Sequence, residues 1–204
     1  MNSSAQKHPN SHLIGRLLLG RTRIIAAWIF GAILVFTARE YPSWPGIVLC
    51  FLGASLRYWA SGFLRKDSRP AVGGPYAWVR NPLYLGTYLM AVGATLSIEN
   101  WYLLSAVTVI FAVTYHFVIL DEEIKLRDIF GQPYLAYCRE VPRFFPRPWP
   151  ATHEALVKVN PESSHHEFSS ELAARNKAFE AYATFAVIIA GIAGIAFAWK
   201  TWLG

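Results

Sequence analysis

Apolar residues run along the chain in five long blocks, Ile24 to Ala38, Trp44 to Leu64, Leu83 to Ile98, Trp101 to Leu120 and Tyr182 to Trp202, with polar segments between them. Each reads as a spanning helix, because about 20 consecutive apolar residues are what cross a hydrocarbon core. The first and third blocks are short and need flanking residues or a locally thinned bilayer. The pattern predicts an all-α fold: a polytopic transmembrane helical bundle of five spanning helices, forming one membrane domain over residues 1–204. Buried helices of a soluble bundle are the alternative, and five such blocks together argue against it.

Composition agrees with this. Of 204 residues 54% are hydrophobic and 16% charged, with 8 Trp, 10 Tyr and 13 Phe, a balance too apolar for an ordinary soluble domain. A chain of this length has no room for a separate large cofactor domain, so a site must be built from helix ends and short loops.

The net charge of +6 lies in basic residues scattered between the apolar blocks, never in a stripe, so nucleic acid is not expected as a partner. Those residues orient the chain. With a cytoplasmic N-terminus, sixteen of the nineteen Lys and Arg residues fall inside, against Arg39 and Lys200 outside and Arg57 within a span. Turns around Tyr41-Pro42-Ser43 and Glu99-Asn100 then close the outer face tightly, and the long inner connections carry the chemistry, together with interfacial helices on the cytoplasmic side. Arg16, Arg21 and Arg23 precede the first block, but no small-residue cleavage site follows it, so it is expected to be retained.

The last block has Ala186, Ala190, Gly194 and Ala198 at four-residue intervals, a stripe suited to bundle packing or to a homodimer interface. Residues 147–181, with Pro148, Pro150 and Pro161, read as a cytoplasmic loop or flap before the final span at 182–202. His153, His165 and His166 lie there without ligand-like spacing. Cys50 and Cys138 form no CxxC pair, and no metal site is expected.

Three inner segments hold candidate chemistry. In Gly73-Gly74-Pro75-Tyr76-Ala77-Trp78-Val79-Arg80-Asn81-Pro82-Leu83-Tyr84-Leu85-Gly86, glycines and prolines break the helix just outside the membrane, and Pro82 keeps Asn81 out of it. A helix start with Arg80 beside it suits an anionic group such as an amino-acid carboxylate. The same segment also fits an interfacial turn anchored by Tyr76, Trp78 and Tyr84. The second segment carries His116, Leu120 and Glu123 at helical spacing, followed through Asp121-Glu122-Glu123 to Phe130-Gly131. Three acids at a helix C-terminus oppose its dipole and require cationic compensation, or pairing with Lys125 and Arg127. The third, Gly131 to Pro146, is a short helix started by Pro133, with Glu140 and Arg143 placed to face a cavity under the bundle and Phe144-Phe145 among lipid headgroups. Arg57, deep in the second span, is expected to snorkel or pair with one of the acids.

In order and spacing, Gly74-Pro75-Tyr76, Arg80-Asn81-Pro82-Leu83-Tyr84-Leu85-Gly86, His116, Glu122-Glu123, Phe130-Gly131, Tyr134, Tyr137 and Val141-Pro142-Arg143-Phe144 resemble the isoprenylcysteine carboxyl methyltransferase and phospholipid methyltransferase superfamily over residues 73–146. The resemblance implies a membrane methyltransferase that binds S-adenosyl-L-methionine without a Rossmann domain and takes a membrane lipid or lipidated acceptor sideways from the bilayer. It implies cofactor contacts by Tyr76, Arg80, Asn81, Pro82, Tyr84, Gly86, His116, Glu122 and Glu123, and acceptor handling by Arg143 and Glu140, with His116 or Glu140 as base for an amine. Asn81 stands where the family usually has His. The rival readings are a sterol-reductase-like enzyme using NADPH and a non-catalytic scaffold.

Overall fold

A computed structural model describes residues 29–34, 36–65, 70–161 and 167–202. Among the described residues every regular element is helical. The N-terminal segment and the start of the first expected span lie outside them.

Helical residues at 29–34 and 36–37 lead to a turn and then to α1 (Trp44–Ser61), opened by Pro45 in its first turn. A single 3₁₀ turn (Gly74–Ala77) precedes α2 (Pro82–Ser97), whose first residue is the proline; Asn81 before it has φ −122° and ψ 57°, outside the helical region. Glu99, at φ 54°, reverses the chain, and the Asn100 side chain accepts a 2.9 Å hydrogen bond from the Leu103 amide to cap α3 (Trp101–Phe130). The expected turn at Glu99-Asn100 is thus present. After Gly131, at φ 60°, the chain continues as α4 (Gln132–Glu140), α5 (His153–Val159), α6 (Ser170–Arg175) and α7 (Phe179–Trp202).

Helices α3 and α7 are long and apolar enough to cross a membrane, and only 17% of the most apolar stretch of each is buried. A core helix of a soluble protein would be covered by its neighbours, so these two have lipid as their natural surroundings. At about 1.5 Å per residue, the 30 residues of α3 outrun a hydrocarbon core of roughly 30 Å. Its last turns, from Asp121 on, where acidic and basic residues gather, therefore extend past the length that a span needs, as a continuation of the same helix.

Helices α1 and α2 pack antiparallel with their backbones nearly touching. A Cβ added to Gly53 would stand 2.6 Å from the Gly86 carbonyl oxygen, and one added to Gly46 would stand 2.6 Å from that of Gly93. Cys50 sits between these contacts, fully buried. Small residues at this spacing on both helices permit an approach that any side chain would block. The small-residue stripe of the last helix behaves differently: Ala186, Ala190, Gly194 and Ala198 are exposed, and a Cβ on Gly194 would meet nothing within 4 Å. Instead α7 lies on α1 through Tyr182, whose hydroxyl bonds to Ser55 at 3.2 Å, and through the rings of Phe51, Tyr58, Phe179 and Phe185. At the far end of α7, Lys200 pairs with Glu40 and Arg39 lies over the Trp199 ring at 4.8 Å.

At the ends of α1–α3 nearest Glu123 a second small core forms. Val72, Ala77, Tyr134, Tyr137, Val141, Leu156 and Val159 pack together, which brings α4 and α5 under the 3₁₀ turn. Part of the segment read from sequence as a loop is therefore a docked helix. The Ala151 amide donates to the Ala77 carbonyl at 2.8 Å, and Asn160 donates to the Pro70 carbonyl at 3.2 Å. Leu156 and Val159 are three residues apart and face one way, an apolar edge too short to register as a period among the surrounding prolines.

The α1–α2 contact yields a direct test. Gly53→Ala is expected to destabilise the protein by about 1–3 kcal/mol through overpacking, whereas Gly191→Ala, whose added Cβ meets nothing within 4 Å, leaves the thermal midpoint in detergent unchanged. Equal midpoints for the two variants would refute the close approach.

Candidate active site

The described helices converge on Glu123, in the part of α3 that extends past its most apolar stretch. The residue is 1% exposed, and burying a charge this completely requires partners. Arg80 reaches Oε1 at 3.0 Å. Arg143 grips both oxygens, Nε to Oε1 at 3.0 Å and a terminal nitrogen to Oε2 at 2.9 Å, the two-pronged geometry in which a guanidinium matches a carboxylate best. Arg127 stands further out, 3.9 Å from Oε2. This hydrogen bonding to Glu123 pushes Arg143 up from its already high ordinary value, so it stays charged at any working pH.

Backbone pairing delivers the two arginines from opposite directions. The Arg80 amide donates to the Pro142 carbonyl at 2.9 Å, and the Asn81 side chain donates to the Arg143 carbonyl at 2.9 Å. The segment before α2 is thus laced to the segment after α4, and each holds its arginine toward the same acid. Asn81 serves this lacing through an amide that does not titrate. Of the neighbouring acids, Asp121 is paired with Lys125 at 2.6 Å, and Glu122 accepts from the Tyr84 hydroxyl at 2.7 Å. The cationic compensation expected for this acid run is therefore supplied by Arg80 and Arg143 as well as by Lys125 and Arg127.

Beside Glu122 stands a wall of rings between α2 and α3. Tyr84 meets Tyr115 edge-on at 5.1 Å, Tyr115 stacks on Phe111 at 3.8 Å, and Tyr88 and Phe144 close on Phe111 at 5.0 and 6.0 Å. Tyr84 with Tyr88, and Phe111 with Tyr115, are four residues apart on their helices, a spacing readable in the sequence once the helix pairing is known. Two buried polar atoms nearby have no hydrogen-bond partner: the Tyr76 hydroxyl and the Arg80 Nε. Tyr76 itself is fixed by its carbonyl, which accepts from the Tyr137 hydroxyl at 2.7 Å.

Of the residues singled out from sequence, Tyr76, Arg80, Asn81, Tyr84, Glu122, Glu123 and Arg143 come together. Pro82 is buried as the first residue of α2, and Gly86 faces α1, where a Cβ would stand 2.6 Å from the Arg57 side chain. Arg57 bonds to the Leu83 carbonyl at 3.1 Å and to the Thr87 hydroxyl, tying α1 to α2. His116 is exposed and meets only the Phe117 ring among the ring contacts, so the imidazole and the Glu123 carboxylate do not share a covered face. The reason is which side of α3 is covered at that level: Val107, Phe111 and Val118 face the other helices, and His116 lies off that stripe. Glu140 is exposed at the end of α4, its carbonyl taking a bond from Arg147. Among the described residues no three His, Cys, Asp or Glu side chains gather as a metal-ion cluster would.

This combination of long apolar helices with an acid–arginine centre at their ends defines the class of integral membrane proteins whose charged centre is built from helix ends. The sequence pattern of the phospholipid methyltransferase family matches residues 29–133, just over half of the chain, and the chain belongs to that family. It is similar to the cobalt-zinc-cadmium resistance protein CzcN of Cupriavidus metallidurans, 28% identical over 145 residues covering 67% of each chain. The nickel-cobalt-cadmium resistance protein NccN of Alcaligenes xylosoxydans xylosoxydans is 29% identical over 152 residues, covering 70% of this chain and 71% of its own. No solved structure matches.

Burial raises the hydroxyl pKa of Tyr76, Tyr134 and Tyr137 above the ordinary 10. A phenol that keeps its proton longer when folded contributes stability that is complete below about pH 10 and is lost as pH rises through the folded-state values. Thermal midpoints measured across alkaline pH are expected to fall from about pH 10 upward, and to fall less steeply in Tyr137→Phe; identical slopes would remove Tyr137 from this account.

Proposed function

We propose that the protein is an S-adenosyl-L-methionine-dependent methyltransferase of a lipid-like acceptor, with its site at the cytoplasmic ends of a five-span bundle whose N-terminus is inside. The observation that carries the reading is the buried Glu123–Arg80–Arg143 centre, in which Arg80 Nε, like the Tyr76 hydroxyl, is a buried donor without a partner. Exposed aromatic residues at the opposite end support the multi-pass arrangement: Tyr41, Trp44, Trp101, Tyr102 and Trp202 belong to three different helical ends and form the belt expected at a membrane–water boundary.

The residues present fit the cofactor. Arg80 and Arg143 supply positive charge for an amino-acid carboxylate, the free Arg80 Nε and Tyr76 hydroxyl are donors awaiting a partner, and Glu122 with the rings of Tyr84 and Tyr115 suits a cation. S-adenosyl-L-methionine, when bound, supplies a methyl group activated by its sulfonium. The chain's own part is to orient the acceptor and exclude water, for which the ring wall between α2 and α3 offers a lipid-facing entry. A carboxylate acceptor arrives ionised and needs only orientation. An amine must lose a proton, and Glu122, whose Oε2 accepts from the Tyr84 hydroxyl beside the ring wall, is the carboxylate we assign to that step, whereas His116 and Glu140 stand outside the cluster. Because Glu123 binds Arg143 two-pronged, neither is separable: Arg143 acts on cofactor binding as well as on the acceptor, and Glu123 is a positioning residue.

Calorimetric titration with S-adenosylhomocysteine tests the assignment. Wild type is expected to bind, and Arg143→Lys, which keeps the charge but loses the fork, to bind roughly ten- to hundred-fold more weakly. Folded wild type that binds NADPH and not S-adenosylhomocysteine would favour a reductase, and binding of neither would favour a scaffold.

A further inference from the structure

A second concave site lies at the same end of the bundle and uses none of the residues discussed above. Leu64 and Arg65, just past α1, and Ser169, Glu171, Leu172, Arg175 and Asn176, on and around α6, line a cavity of about 520 Å³. Its frame is rigid. The Asn176 side chain donates to the Ser61 and Leu64 carbonyls at 2.9 and 2.8 Å, and the Ser169 amide donates to the Gly62 carbonyl at 3.1 Å. Both guanidiniums are without an ion pair among the described residues, although Glu171 lines the same cavity and is spaced one helical turn from Arg175. Two arginines on a built cavity with one opposing carboxylate leave a net positive charge and donors for an anion that the protein itself does not supply.

The surroundings identify the kind of anion. Trp59, Phe168 and Phe179 are exposed beside the cavity's elements, large rings at the place where α1 ends and α7 begins. Phe63 packs with Tyr76 on one side and meets Phe168 at 6.1 Å on the other, so the cavity lies at the same level as the candidate active site. Polar, arginine-lined and flanked by apolar rings at the edge of the bilayer, it matches the two-part chemistry of a phospholipid: a phosphate in the cavity and acyl chains along the exposed rings.

We infer that this cavity binds the phosphate headgroup of an anionic phospholipid, at a site separate from the proposed site of methyl transfer and independent of whether that transfer occurs. The bound lipid would pin the α1 end and α6 to the membrane surface, with Arg65 and Arg175 as its ligands and Glu171 as an opposing charge.

The test is native mass spectrometry of the full chain from phosphatidylcholine nanodiscs prepared with and without phosphatidylglycerol, with glycerol phosphate as a soluble competitor. Wild type is expected to retain phosphatidylglycerol in preference to phosphatidylcholine, and retention to weaken roughly five-fold for each of Arg65→Gln and Arg175→Gln. Glu171→Gln is expected to strengthen it. Undiminished retention in the double arginine variant would overturn the proposal, as would full displacement by glycerol phosphate, which would assign the cavity to a soluble phosphate compound. If the double variant fails to fold, Glu171→Gln decides: retention no stronger than wild type overturns the assignment.

Discussion

A carboxylate removed almost completely from water organises this protein. Left alone, the Glu123 side chain would be strongly destabilising, and breaking such a buried pair typically costs about 3–5 kcal/mol. Its presence on a projecting turn of α3 therefore requires that two arginines arrive there, and the rest of the inner face is arranged to bring them. Pro82 starts α2 so that Arg80 precedes it, α4 turns the chain back, and the backbone lacing between residues 80–81 and 142–143 sets both guanidiniums on one acid. The same convergence creates a concentration of fixed charge at the ends of apolar helices, which is what the proposed methyl transfer requires.

The membrane part answers a different constraint. Between α1 and α2 the glycines remove side chains, so backbones meet and Arg57 of one helix reaches the carbonyl of Leu83 on the other. This rigid pair supports α2, and α2 carries the ring wall and Tyr84. Helix α7 is held at both ends, by aromatic packing against α1 near Tyr58 and by Lys200–Glu40 at the other end, while its small-residue stripe remains exposed.

Much of this was legible in the sequence where local chemistry decides. Pro82, Asn100 and Gly131 mark helix boundaries through their own conformational limits, and the acid run signalled that cations must approach. What was not legible depends on which surfaces face each other. Four-residue spacing of small residues is equally visible at Gly46–Cys50 and at Ala186–Ala190, yet only the former is buried, because periodicity identifies a face and not its partner. His116 illustrates the same limit: by spacing it shares a helical face with Glu123, but the stripe covered at its own level runs through Phe111 and Val118 and leaves it exposed. Leu156 and Val159 were hidden because two apolar residues amid prolines have no period, and only Val72, Tyr134 and Tyr137 give them a place.

The central claim is methyl transfer at the Glu123 centre, and the most direct measurement is transfer of labelled methyl from S-adenosyl-L-methionine by the purified protein in nanodiscs of total membrane lipid. The account predicts label in the organic-soluble fraction for wild type and its loss in Arg80→Gln with the fold intact. Label that persists in Arg80→Gln, or none from folded wild type, would contradict it.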